Sequence, residues 1–277
     1  MLAYIIYALS AVLALALTVP AGGLWWLLAP VVFGAATLLL LALAFGFLLL
    51  MCAFVDQEKP QQQDSRFYRA LAHITIDAVI CFARVRLHTR GLEKTPKDGR
   101  FLLVCNHLND VDPALLMHVF SKSQLAFISK RENKTMLVVG KVMHKLLCPL
   151  VNRENDREAL KTILHAIDLI REDKVSIGVF PEGYVSKSGK LLPFRGGVFK
   201  IAQRAEVPIV VCTIQNTKTV VPNLLKLRPS DVELHLVDVI PAQELRGRTA
   251  VSIAQQVYDL MLSDLGPEFA PEEVQNT

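Results

Sequence analysis

Residues 101–113 read FLLVCNHLNDVDP, and the fold class turns on how that stretch is parsed. Phe101–Cys105 is a short apolar run rich in strand formers and bounded by polar turn residues, which predicts a buried strand. It runs directly into Asn106-His107-Leu108-Asn109-Asp110-Val111-Asp112-Pro113. His107 is therefore expected in a loop at a strand end, with Asp112 just ahead of a helix. An imidazole takes up a proton near neutral pH, and a carboxylate on its other nitrogen fixes the tautomer. That is the base and orienting acid of a hydrolytic triad without its serine, as suits a reaction whose attacking hydroxyl arrives on the substrate. A plainer reading also accounts for the residues: Asp112-Pro113 is an ordinary N-cap and first-turn pair, and His107 bonds within its loop. Asp110 is a second carboxylate close by, so local spacing leaves the choice of acid open.

Outward from this stretch, strand-like and helix-like segments alternate. Helices are expected at 67–82, 113–120, 135–147, 157–171, 197–205 and 250–265. Extended segments are expected at 125–129, 175–180, 207–214 and 232–239. In 157–171 the helical period is explicit, with Leu160, Ile163, Leu164, Ile167 and Ile170 on one side. Such alternation argues for an α/β domain, a sheet with helices on its faces. Ligands in such sheets gather where strands hand over to loops and helices.

Toward the N-terminus the character changes. Residues 1–55 hold no Asp, Glu, Lys, Arg or His, so all 30 basic and 26 acidic side chains lie beyond them. A charge at the bilayer centre costs roughly 2.5–3.5 kcal/mol, which is the physical reason for such a division. Leu2–Val19 is one apolar run, Pro20-Ala21-Gly22-Gly23 breaks it, and Leu24–Phe54 is a second, with Trp25 and Trp26 placed as an interfacial anchor. A cleaved signal peptide lacks its positive start here and leaves the second run unexplained; a buried soluble hairpin fits poorly with helices apolar all round. The runs could also dip into a single leaflet. The expectation is a membrane-embedded helical pair over 1–55, a polar linker over 56–64 (DQEKPQQQD) and an α/β domain over 65–277. Because every Lys and Arg follows the second run, the domain is expected to face the cytoplasm.

Cys52, Cys81, Cys105, Cys148 and Cys212 are scattered without a CxxC pair, and the seven His show no HExxH, so neither a disulfide framework nor a metal site is indicated. From Lys130 to Arg204 the 15 Lys and Arg outnumber the 8 Asp and Glu, a local +7 against +4 for the whole chain. That excess suits a phosphate or an anionic membrane surface. No reader fold or stacking motif accompanies it, so nucleic acid is not indicated.

The segment from Asn106 to Asp112 resembles the NHx4D box (an HX4D motif) of the glycerolipid acyltransferase family, which includes the 1-acylglycerol-3-phosphate acyltransferases. Further blocks follow in that family's order. FISKRENKTMLVVGKVMHKLLCPLVNR (127–153) resembles the second, with Lys130, Gly140 and Arg153 as the matches. VFPEGYVS (179–186) resembles FPEGTRS, with Tyr184 and Val185 standing where Thr and Arg are usual. LPFRGGVFKIA (192–202) resembles PFKxGxxxxA, and the strand beginning Val207-Pro208 resembles the fourth block.

The resemblance implies a mixed sheet flanked by helices and an acyl transfer from an acyl thioester, acyl-CoA or acyl carrier protein, to the hydroxyl of a lysophospholipid. It implies His107 as general base and Asp112 as its partner. Arg153, Glu182 and Gly183 would hold the acceptor, with Lys130, Lys187 and Arg195 as further candidates and Lys190 near the missing Arg. No metal and no bound cofactor is implied; the donor is a substrate, and the bilayer is the other partner. Two rivals remain at this point: a hydrolase, disfavoured by the lack of a GxSxG elbow, and a lipid-binding protein that kept the fold without turnover. Without the resemblance, Arg153 reads as a surface partner of Glu154 or Asp156, and Gly196-Gly197 as a helix start whose free amides suit an anion.

Overall fold

The computed structural model describes residues 2–20 and 22–271. Two apolar helices come first, α1 (Leu2–Thr18) and α2 (Ala29–Ala53), followed by α3 (Arg66–Phe82), β1 (Val85–Arg90) and β2 (Leu102–Cys105). Next are α4 (Asp112–Val119), β3 (Leu125–Phe127), β4 (Ser129–Lys130), α5 (Val139–Lys145), β5 (Leu150–Val151), α6 (Asp156–Arg171) and β6 (Ser176–Val179). The chain continues through α7 (Lys200–Ala205), β7 (Ile209–Gln215), α8 (Val220–Leu225), β8 (Ser230–Ile240) and α9 (Ala250–Leu265).

Six strands form one sheet in the order β1-β8-β7-β2-β6-β3. β7, β2, β6 and β3 run parallel, whereas β8 pairs antiparallel with β7 and carries β1 parallel to itself. The sheet is mixed and flanked by helices, as expected. Alternation along β2 shows why its sequence is apolar throughout: Leu102 and Val104 enter the core under α6, α7 and α9, while Leu103 and Cys105 enter the core under α4. β4 and β5 make a separate parallel ribbon, with Lys130 beside Val151.

Several boundaries differ from expectation for local reasons. The helix expected over 135–147 is a 3-10 turn at Arg131–Thr135, an extended Met136, and then α5. Gly196-Gly197 opens a 3-10 turn, not an α-helix, and the amide of Arg195 just before it is already bonded to Pro181 O at 2.8 Å. β1, VRLHTR, shows no continuous apolar run because it lies at the sheet edge with only Val85 and Leu87 turned inward. The polar stretch 56–64 lies against the domain. Lys141 Nζ donates to Val55 O at 2.8 Å, Lys145 Nζ to Gln61 Oε1 at 2.9 Å, and Arg69 holds Asp64 through two bonds of 2.6 and 2.8 Å.

The helix 25–53 is long and apolar enough to cross a membrane. α1, at 17 residues, spans about 26 Å at the helical rise per residue, short of a hydrocarbon core of roughly 30 Å. The two helices pack together, Tyr7 stacking on Phe33 with ring centroids 6.2 Å apart.

Candidate active site

Parallel neighbours release their C-terminal ends at the same sheet edge, and β2 and β6 are parallel neighbours. The loop after β2 carries His107; the loop after β6 carries Phe180-Pro181-Glu182-Gly183. Two bonds splice them, and a third braces Glu182 from within its own loop. His107 N donates to Glu182 Oε1 at 2.7 Å, Ser186 N donates to His107 O at 2.8 Å, and Leu192 N donates to Glu182 Oε2 at 3.0 Å. On the other side Asn106 extends the ladder to β7, accepting from Ile214 N at 2.8 Å and donating to Ile214 O at 2.9 Å. The chain at 106–107 is thus held on both sides, by the Asn106 side chain toward β7 and by the backbone of residue 107 toward the loop after β6.

The ring is held as firmly. His107 Nδ1 lies 2.9 Å from Asp112 Oδ2, which also accepts from Leu108 N at 2.7 Å and Asn109 N at 2.8 Å. Asp112 is fully buried, and its carboxylate turns back onto the loop instead of capping α4. The plain N-cap reading of Asp112-Pro113 is therefore set aside: the proline opens the helix, but the acid serves the imidazole. His107 stacks on Phe180 with centroids 4.0 Å apart and planes 14° apart, and Phe180 stacks on Phe127 at 5.4 Å. Gly178 makes room for that pile, since a Cβ there would fall 2.5 Å from the Phe127 ring. With Nδ1 committed to Asp112, Nε2 is the ring nitrogen without a protein partner among the described residues. The His107 side chain is 12% exposed, enough to reach a substrate at the sheet edge.

Glu182 was expected to meet the acceptor. It is instead 3% exposed with both oxygens bonded to backbone amides, a strut beneath the loops. Burial pushes its carboxyl up to about 7, outweighing the two amides that pull it down. A raised value means its contribution to stability is complete below the usual carboxylate range and is lost as pH rises through about 7. In detergent-solubilised protein the unfolding midpoint should therefore fall between pH 5 and 8. Glu182→Gln should remove that slope and cost about 1–3 kcal/mol at pH 5, because its NH2 faces a backbone N–H that needs an acceptor. An identical slope in wild type and variant would contradict this role.

Gly183 has φ +77°, which favours glycine at this turn, and a Cβ there would fall 2.9 Å from Arg195 Nε, so any larger residue would push the Arg195 side chain aside. Next to it Tyr184 gathers two cations. The Arg153 guanidinium lies 5.1 Å and that of Arg195 5.2 Å from the Tyr184 ring centroid, and Arg195 donates to the Tyr184 hydroxyl at 3.4 Å. Arg153 makes no ion pair with Glu154 or Asp156, the partners its sequence neighbourhood suggests; burial is the main influence on it and lowers its pKa. Two guanidiniums sharing one aromatic ring, with no carboxylate paired to either among the described residues, make a place for an anion. Lys130 is exposed on the ribbon strand that pairs with the one leading to Arg153. Lys187 is exposed and has no side-chain contact with this cluster; its carbonyl receives Lys218 Nζ at 2.7 Å. Lys190 Nζ is spent on Glu268 O. Sequence alone assigns no role to Asn106 or to the pile of Phe127 on Phe180, and takes Tyr184 only as a departure from the usual Thr. Asn106 and Phe180 lay within the quoted motifs, whereas a Tyr between two distant Arg leaves no local signal.

Residues 86–215 match the family model described as Acyltransferase. A 1-acyl-sn-glycerol-3-phosphate acyltransferase of Borreliella burgdorferi is 27% identical over 175 residues, which cover 62% of this chain and 69% of that protein. A probable 1-acyl-sn-glycerol-3-phosphate acyltransferase of Mycoplasma pneumoniae is 31% identical over 145 residues, covering 51% of this chain and 53% of that one. The alignment thus spans little more than half of the second relative's length. The crystal structure of PlsC, a 1-acyl-sn-glycerophosphate acyltransferase from Thermotoga maritima, superposes with a TM-score of 0.56 at 21% identity over 79% of this chain and 86% of that one, a likeness of fold.

Proposed function

We propose that the chain is a member of the glycerolipid acyltransferase family and moves a fatty acyl group from an acyl thioester to the free hydroxyl of 1-acyl-sn-glycerol 3-phosphate, giving phosphatidic acid. The observation that carries the mechanism is the 2.9 Å His107–Asp112 pair with no hydroxyl or thiol side chain bonded to His107 among the described residues. His107 Nε2 removes the proton of the acceptor hydroxyl as its oxygen attacks the thioester carbonyl. Asp112 stabilises the imidazolium so formed. Collapse of the tetrahedral intermediate expels the thiolate, which regains a proton from the imidazolium. Arg153 and Arg195 would hold the acceptor's phosphate beside the base, in place of the Arg that Val185 replaces. CoA or an acyl carrier protein delivers the acyl chain, and no metal or bound cofactor takes part.

The apolar helices of residues 1–55 would embed the enzyme in the bilayer where both lipids reside. The segment 56–64 would lead to a catalytic domain over 65–277 on the cytoplasmic side, where the positive charge concentrates. The test is to supply one labelled acyl thioester with a panel of lysolipids. Lysophosphatidate should be acylated in preference to lysophosphatidylcholine or monoacylglycerol; equal use of the neutral acceptors would overturn the phosphate assignment.

Tyr184 carries a sharper prediction. A cation–π contact is worth about 0.5–2 kcal/mol, so Tyr184→Ala should raise KM for lysophosphatidate roughly 2- to 30-fold while kcat changes little. Tyr184→Phe, which keeps the ring, should stay near wild type. Loss of kcat at constant KM would place the residue elsewhere in the reaction.

A further inference from the structure

Far from the active-site loops in sequence, residues 216–230 read NTKTVVPNLLKLRPS and contain no Asp or Glu. They form α8 and its exit. Val221, Leu224, Leu225 and Leu227 all stand in solvent, the last two 81% and 77% exposed, with Lys226 and Arg228 exposed between and after them. The helix closes with Leu227 N donating to Leu224 O at 3.0 Å and Arg228 N to Asn223 O at 2.8 Å. That ending places Leu227 at φ +54°, the left-handed position that glycine normally fills. A leucine there is strained, and its exposed side chain gains nothing from the folded chain in return. A contact outside the chain would offset that cost.

The neighbours of this segment indicate what kind of contact. Arg84 Nη1 donates to Leu227 O at 2.8 Å, and Arg84, Arg86 and Pro229 line one cavity together with Tyr4 of α1. Tyr7 of α1 packs edge-on against Phe82, two residues before Arg84, with centroids 5.2 Å apart. Through Arg84 and Pro229 the segment adjoins the cavity that Tyr4 of the N-terminal helix lines, and Arg84, Lys226 and Arg228 lie about the leucines, while Arg86 is paired with Asp231 at 3.9 Å and Asp77 lines the same cavity. Exposed leucines framed by cations fit the boundary between lipid headgroups and acyl chains.

We infer that residues 221–228 are a second membrane contact, inserting Val221, Leu224, Leu225 and Leu227 into a bilayer surface that carries anionic lipid and pairing the nearby cations with lipid phosphates. This rests on the proposed membrane anchoring of residues 1–55 and adds a fixed orientation of the domain to it. The chain has two tryptophans, Trp25 and Trp26, which makes the test clean. The full-length W25F/W26F/L225W variant is reconstituted into phosphatidylglycerol–phosphatidylcholine vesicles with brominated acyl chains. The wild-type chain is reconstituted in parallel. The single indole introduced by L225W should lose fluorescence to the bromolipid and resist aqueous acrylamide. Quenching by acrylamide and not by bromolipid overturns the proposal, as does shielding from both, which would indicate a second copy on the patch. If Trp25 and Trp26 of the wild type are quenched by bromolipid while the introduced indole is not, only this inference fails. If none is quenched, the membrane anchoring fails with it.

Discussion

His107→Ala is expected to lower kcat for acyl transfer by at least about 10²-fold, the usual scale for removing a general base. The effect should be chemical and not structural. Asp112 keeps its bonds from Leu108 N and Asn109 N when the ring is gone, and the backbone at 107 remains held by Glu182 and Ser186. KM for lysophosphatidate should hold within a few-fold, because the two guanidiniums over Tyr184 belong to other segments. Turnover of the variant close to wild type, at matched expression and unfolding midpoint, would remove His107 from the chemistry.

Asp112→Asn is the second large effect, and the geometry separates the acid's two duties. A single oxygen, Oδ2, takes all three hydrogen bonds, while Oδ1 is buried without a partner. An asparagine can place its carbonyl where Oδ2 lies and keep the loop, the tautomer and the ring orientation. What it loses is the charge opposite the imidazolium, worth about 4 kcal/mol for charges roughly 4 Å apart at an effective dielectric constant of about 20. A fall in kcat of about 10²–10³-fold follows. Its NH2 group is left buried and unpaired, a further cost of about 1–3 kcal/mol in stability. If kcat instead holds within a few-fold while stability drops, Asp112 is a loop staple and the imidazole works alone.

Much of this arrangement was legible in the sequence, and the reasons differ by element. β2 and α6 were readable because burial imposes a pattern on them: an unbroken apolar run where both sheet faces are covered, and a 3.6-residue period where one helix face is. β1 was not, since an edge strand with two inward residues has no such constraint. The His107–Asp112 pair was readable as a spacing, because both ends of the interaction lie in one loop. Glu182 was noticed but given the wrong neighbours; its partners are amides of residues 107 and 192, distant in sequence and carrying no side-chain signature. The same holds for Tyr184, which unites Arg153 and Arg195 across three separate segments. Val185 looked like a missing phosphate ligand. In three dimensions Arg195, coming from the next block, stands against Gly183 at the same turn.

The most direct measurement follows the acyl group itself. Purified, reconstituted protein is given a radiolabelled acyl thioester and 1-acyl-sn-glycerol 3-phosphate, and the label is traced through a single turnover while intact mass is read on the chain. Direct attack assisted by His107 predicts label passing from thioester to phosphatidic acid, with the protein's mass unchanged throughout and the transfer abolished in His107→Ala. Label held covalently on the protein, or released as free fatty acid in place of phosphatidic acid, would contradict it.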